Sequence, residues 1–343
     1  KEYSVKTECS FSRRWRNMME QWYLYKKKAD FTKIGEKFQI DPVIARLIRN
    51  RDVIGDEEIH KYLYGNLSDI SDPFLMKGVR EGVDIIREKI RDRKTIRIIS
   101  DYDVDGVVSN YILWKAIYDL GGMIDFQIPD RMKDGYGINE NIIEKAVEDQ
   151  IDTILTCDNG IAASEAIRFG KEHGLTMIIT DHHDVPFILN EDGSKEEILP
   201  PADVVINPKQ KECKYPYPLL CGAGVAFKVI KILYEKCGLN PAGLEEYAEL
   251  MAIATIGDVV DLSDENRVIV KYGLKHLAVT TNIGIRALVE ACELEIDKIS
   301  SYHIGFVIGP CLNATGRLDS ARRAIELLLT TDMEDARKKA LEL

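Results

Sequence analysis

Three aspartates at every second position, Asp101, Asp103 and Asp105 in Ser-Asp-Tyr-Asp-Val-Asp-Gly (100–106), constrain this chain more than any other stretch. They follow an apolar, β-like run at 95–99 and precede a helical run at 107–120. At the C-terminal end of a parallel strand such acids crowd into the crevice where open α/β sheets bind ligands. Carboxylates held that close repel one another unless protons or a cation compensate them. Hard divalent metals take oxygen donors at this density. A solvated acidic turn, with Asp as helix cap, accounts for the same letters in isolation.

The surrounding pattern supplies the sheet. Apolar runs at 95–100, 123–128, 153–156, 176–180 and 203–206 alternate with helical periodicity at 107–120, 139–149 and 162–173. Strands alternating with helices of this length predict βαβ units. The fold class is therefore α/β, a parallel β-sheet flanked by helices, with a helical N-terminal lead-in and a helical C-terminal part. The lead-in has an arm at 1–38, short helices at 42–50 and 56–63, and an amphipathic helix at 73–91 with Leu75, Val79, Val83, Ile86 and Ile90 at helical spacing. The polar insertion 190–201 reads as an exposed loop. From 222 onward helices are expected at 223–237, 244–256, 265–277, 283–292 and 300–307, then one or two over 320–343. That last segment reaches Leu343 with no Gly, Asn or Pro to end it, so a helix continuing beyond it is expected. With 343 residues, two domains or one with an appendage are expected. We place the lead-in at 1–92, the catalytic domain at 93–310 and a phosphate-binding turn with the start of a connecting helix at 311–343.

Several classes are disfavoured. There is no apolar run long enough to cross a bilayer and no secretory signal, so no membrane partner is expected. Seven scattered cysteines contain no Cys-x-x-Cys pair, which argues against a disulfide framework and a zinc knuckle and for a cytoplasmic setting. The net charge of −11 does not favour nucleic-acid binding in bulk. The charge is uneven, however: residues 1–37 carry ten Lys/Arg against five Asp/Glu, with Phe11, Trp15, Trp22, Tyr23, Tyr25 and Phe31 among them. Basic residues mixed with aromatics suit a single-strand groove, and equally a helix packing its tryptophans on the body.

Acids and histidines recur at the expected strand ends. Asp130 follows the second, Asp158 the third, and Asp181, His182 and His183 the fourth. Strand ends of one parallel sheet converge, so these side chains form a constellation where each alone is unremarkable. Neighbouring histidines point differently: one can bind metal through a neutral imidazole, the other can contact a substrate oxyanion, and Asp181 can orient an imidazole. Asp and His donors without thiolates fit Mn²⁺ or Mg²⁺ better than structural zinc. Two such ions sharing a carboxylate are a clamp for phosphoester or phosphoanhydride hydrolysis. Two further stretches join them. The apolar helix ending at Asp258 can deliver a last ligand. The stretch 309–318 reads as a Gly-bracketed turn presenting Asn313 and Arg317, and an Arg fork suits a phosphate.

Asp-Tyr-Asp-Val-Asp-Gly (101–106), Asp-Asn-Gly-Ile (158–161), Asp-His-His (181–183) and Gly-Asp-Val-Val (257–260) resemble, in order, the four motifs of the DHH phosphoesterase superfamily. The stretches 131–139, 205–208, 224–228 and 312–318 resemble its RecJ branch, as does the lead-in 42–73, so the likeness covers roughly residues 40–343. The resemblance implies a single-stranded-DNA-specific 5′→3′ exonuclease of DNA repair and recombination, dependent on two Mn²⁺ or Mg²⁺ ions, with single-stranded DNA and other repair proteins as partners. It implies that Asp158 bridges the ions, that Asp101, Asp103, Asp105, His182 and Asp258 complete their shells, and that His183 contacts the scissile phosphate. Which of the first three acids bind directly is left open. The branch usually has Arg where this chain has Cys311, and often Ala where it has Thr315. It also continues into a DHH-associated domain and an oligonucleotide-binding barrel, so a catalytic-core fragment is expected. Phosphodiesterase action on short oligonucleotides or cyclic dinucleotides, and a non-catalytic replication scaffold, are the competing readings. The intact acids and histidines disfavour the scaffold.

Overall fold

The computed structural model describes residues 5–6, 21–22, 25, 27–129, 137–318 and 321–343. The sequence features at Phe11, Trp15, Tyr23, Asp130 and 131–136 lie outside them. The chain divides into two compact units, 1–65 and 66–343.

Among the described residues, the first unit has three short helices. α1 (Phe31–Phe38) is capped by Asp30, whose side chain accepts from the Lys33 amide, and α2 (Pro42–Asn50) by Asp41 with proline in its first turn. Together with α3 (Asp56–Tyr64) they enclose Phe38, Ile48 and Ile59.

The second unit is the expected α/β body. α4 (Val79–Arg91) precedes β1 (Thr95–Ser100), α5 (Val104–Asp119), β2 (Met123–Gln127), α6 (Glu140–Glu148), β3 (Thr153–Cys157), α7 (Ser164–Glu172) and β4 (Thr176–Thr180). A small antiparallel hairpin, β5 (Phe187–Leu189) and β6 (Lys195–Glu197), occupies part of the insertion read as loop, and β7 (Val204–Ile206) returns to the sheet. The sheet order is β2-β1-β3-β4-β7 and every pairing is parallel. The strands alternate strictly, as residues buried on both faces must. Ile98, Leu155 and Ile178 face the side of α5 and the later helices, whereas Ile99, Ile154 and Ile179 face α6 and α7.

The helical part follows: α8 (Gly222–Lys236), α9 (Ala248–Gly257), α10 (Asp264–Leu277) and α11 (Ile283–Ala291). α5 lies between the sheet and the pair α8 and α9, and all of its residues from Val104 to Leu113 are buried. Two expectations are corrected. The amphipathic helix read at 73–91 starts only at Val79, because Gly78 at φ +80° breaks it after a 3₁₀ turn, and Leu75 is left exposed. The stretch read as a turn at 309–318 is a helix, α12 (Gly309–Leu318), entered directly from a π-helical turn at Ile304–Ile308. Pro310 is its second residue, directly after the π-helical turn. Two helices then close the segment, α13 (Arg322–Leu329) and α14 (Met333–Leu341).

One buried ion pair fastens α8 to α10. Lys228 and Glu265 are both fully buried, 3.0 Å apart, and Glu265 also accepts from the Tyr215 hydroxyl and the Ser71 amide. Burial pushes the Glu265 carboxyl up, but the Lys228 ammonium and these hydrogen bonds hold it net below the usual carboxylate range. Its contribution is therefore complete above the unfolded carboxylate pKa of about 4.3 and is lost as pH falls through the lower folded value. Lys228→Met strands a buried carboxylate and is expected to cost about 3–5 kcal/mol, read from the urea midpoint at neutral pH. A loss within a few tenths would show that water or a partner replaces the ammonium.

Candidate metal centre

Strand register builds the site. Ser100 pairs with Cys157, Cys157 with Thr180 and Thr180 with Ile206. The next residues along these four strands, Asp101, Asp158, Asp181 and Asn207, therefore stand side by side at one edge of the sheet. The strand order reverses between β1 and β3, which is the switch point where open sheets form their crevice. Asp158 follows β3 with a left-handed φ of 59°, a conformation Asp tolerates better than most residues.

The β1–α5 turn is fixed by its own acids. Asp103 caps α5, its Oδ1 accepting from the amides of Asp105 and Gly106 at 3.0 Å each. The helix begins at Val104, three residues before the helical run read from sequence, so Asp105 stands on its first turn. There the carboxylate meets the start of α8: the Gly222 amide donates to Oδ2 at 2.5 Å and the Ala223 amide to Oδ1 at 2.8 Å. α8 has no side-chain cap, so Asp105 satisfies its first amides and lies at the positive end of its dipole. From the other side, α9 ends at Gly257 and delivers Asp258 as its C-cap. The missing side chain at Gly257 is what allows this approach, since a Cβ there would lie 2.4 Å from Val104 Cγ1.

The histidines take different roles. His182 is buried, and its Nε2 faces acids alone: Asp158 at 2.9 Å, Asp105 at 3.5 Å and Asp258 at 3.7 Å. His183 is 42% exposed on its side chain, with Nδ1 2.8 Å from Asp181 Oδ1. Asp181 is saturated, also accepting from the amides of Ile161, His182 and His183. Its carboxylate thus fixes both the turn and the His183 ring. The Asn207 amide group donates to the His183 carbonyl at 2.9 Å and fixes the same turn.

The donor groups fall into three sets, one of which links the other two. Ligand atoms of Asp105, His182 and Asp258 lie within 4.8 Å of one another, as do those of Asp101, Asp103 and Asp158. Asp158 also groups with His182 and His183, so it adjoins both sets. Among the described residues, Asp158 Oδ1, His182 Nε2 and Asp258 Oδ2 are buried polar atoms that make no well-aligned hydrogen bond, although the first two lie 2.9 Å apart. Burial and the neighbouring carboxylates, Asp105 foremost, push Asp158 well above the usual carboxylate range and Asp258 up to about 7. Burial raises Asp105 in the same way, and burial lowers His182. The bond to Asp181 instead raises His183. Repelling carboxylates around an imidazole kept neutral form a donor set that fits hard divalent cations.

Of the expected substrate contacts, Asn313 reaches the site. Its Oδ1 accepts from the Val104 amide at 2.7 Å, which ties α12 to the first turn of α5. The side chain of Arg317 lies outside the described residues. Sequence reasoning missed Gly222 and Ala223, whose backbone amides grip Asp105. A Cys-Gly-Ala-Gly run opening an apolar helix was the available signal.

A family model described as the DHH family, N-terminal domain, matches residues 95–255. The chain is similar to the single-stranded-DNA-specific exonuclease RecJ of Bacillus subtilis, 37% identical over 94% of this chain and 39% of the relative. The RecJ of Haemophilus influenzae is 33% identical over 90% of this chain and 53% of its own length. The chain thus spans about half the length, or less, of these curated relatives. Among solved structures it resembles an exonuclease RecJ bound to manganese, with TM-score 0.68 and 34% identity over 78% of this chain and 64% of that one. It also resembles RecJ in complex with Mn²⁺ from Thermus thermophilus, with TM-score 0.71 and 29% identity over 91% of this chain and 42% of that one.

Proposed function

We propose that this chain, whose residues 95–255 match the DHH family's N-terminal domain, is the catalytic core of a single-stranded-DNA-specific exonuclease working 5′→3′ with two Mn²⁺ or Mg²⁺ ions. The observation that carries the reading is the pair of donor sets with Asp158 between them. When bound, such ions supply an activated water and neutralise charge gathering on the phosphate. On this reading Asp158 would hold both ions. Asp101 and Asp103 complete one set; Asp105, His182 and Asp258 complete the other. The catalytic domain spans 93–310 on this reading, with 1–92 leading in and 311–343 leading out.

The chain's own residues do the rest. The amides of Gly222 and Ala223 hold Asp105 in one orientation, so the second set is preorganised. The Asp181 carboxylate keeps a proton on His183 Nδ1 and leaves Nε2 to face the phosphate, where a protonated ring donates to the leaving oxygen. Asn313 and Arg317 lie on the helix that follows and grip the substrate backbone. Single-stranded DNA is the partner, and a DNA-processing role sets the chain in the cytoplasm. Among the described residues no helix is long and apolar enough to cross a membrane.

The test is hydrolysis of a 5′-labelled single strand with Mn²⁺, beside a duplex and a dinucleotide. Digestion of the single strand with release from the labelled end supports the proposal. Cleavage of the dinucleotide alone would transfer the site to a small-substrate phosphodiesterase. Asp181→Asn separates positioning from ligation: turnover is expected to fall about 10–100-fold while the Mn²⁺ titration midpoint stays near wild type. A large shift in that midpoint would make Asp181 a metal ligand instead.

A further inference from the structure

Six free cysteines are described. Cys157 and Cys221 are fully buried, and burial pushes both thiols well up, so neither is open to solution chemistry. One pair differs. Cys292, the C-cap of α11, and Cys311, the third residue of α12, bring their sulfurs to 3.9 Å from two separate elements, and both side chains are partly exposed. They lie 19 residues apart.

We propose that Cys292 and Cys311 form a reversible disulfide when the chain meets a hydroperoxide, a modification site separate from the metal centre. The sulfurs need to close by about 2 Å to reach bonding distance, a movement that side-chain rotation on two helix ends supplies. Oxidation starts as one thiolate attacks the peroxide oxygen. The O–O bond breaks, a sulfenic acid forms and one water leaves. The second thiol then attacks that sulfur, the S–O bond breaks and a second water leaves. Two thiols thus lose two electrons and two protons, and hydrogen peroxide becomes two waters. Burial and the neighbouring Cys311 push the Cys292 thiol up to about 11, so Cys292 fits the resolving role, giving up its proton only as the S–S bond forms. The site adjoins the working parts of the molecule: Cys311 stands two residues before Asn313, whose carboxamide holds the first turn of α5.

The test needs no activity. The native chain is treated with hydrogen peroxide, quenched with an alkylating agent, and mapped by mass spectrometry with and without dithiothreitol. The expected result is one intramolecular peptide pair joining Cys292 to Cys311, a thiol titre lower by two, and full recovery on reduction. Cys292→Ser and Cys311→Ser should each abolish the linked pair while keeping the native circular dichroism. Thiol loss through Cys213 or Cys237, intermolecular crosslinks only, or sulfinic acid at Cys311 without a linked pair would overturn the proposal.

Discussion

Asp158→Ala is expected to abolish metal-dependent hydrolysis, by roughly a thousandfold or more, since a carboxylate serving two ions supplies several kcal/mol of charge organisation. The fold should survive. Asp158 is buried among other acids, and the same burial and repulsion that raise its pKa oppose folding of the metal-free chain. Asp158→Asn is the companion variant, because Asn keeps the shape and tolerates the left-handed backbone better than Ala. In a chelator, its melting temperature should equal or exceed that of wild type. With Mn²⁺ added, wild type should gain several degrees by mass action and the variant little. Single-strand hydrolysis and thermal melts in chelator and in Mn²⁺ read all three effects. Retained activity in either variant would remove Asp158 from the centre.

Gly222→Ala is expected to lower hydrolysis by about a hundredfold, the effect of misplacing reacting groups by roughly an ångström. An added Cβ would lie 2.8 Å from Asp158 Cβ and 3.0 Å from both Asp105 Oδ2 and Ser109 Oγ. Three groups of the inner wall would have to move, two of them proposed metal ligands. The change touches no substrate and removes no ligand, so native circular dichroism with weakened Mn²⁺ binding is the signature that separates it from unfolding. Full turnover in a folded variant would mean that the α8 start can retreat without cost.

Much of the site was legible because its logic is local. An apolar strand followed by an acid is a pattern of a few residues, and parallel pairing alone brings Asp101, Asp158 and Asp181 into one row. The contact of His183 with Asp181 likewise joins neighbours two residues apart. What escaped depends on contacts far along the chain. Nothing near Gly222 announces that its amide meets a carboxylate more than a hundred residues earlier. The stretch 309–318 misled for the opposite reason. Gly309, Pro310 and Gly316 carry strong local turn preferences, and tertiary packing overrode them. Ile304, Ile308 and Leu312, all fully buried, step by four residues and carry the helical period through Gly309 and Pro310.

The two amides that α8 lends to Asp105 also set the order in which this centre can come into being. The carboxylate arrives on the β1–α5 turn, the amides on a helix that reaches the sheet from a later part of the chain. The second donor set is therefore complete only after the two layers have docked. Ions favour that finished state and have little to hold in a half-assembled one. Interactions absent from the folding transition state act on the unfolding rate. Manganese should accordingly leave the refolding limb of a chevron nearly unchanged and slow the unfolding limb, making the cation a latch on a closed door rather than a guide toward it.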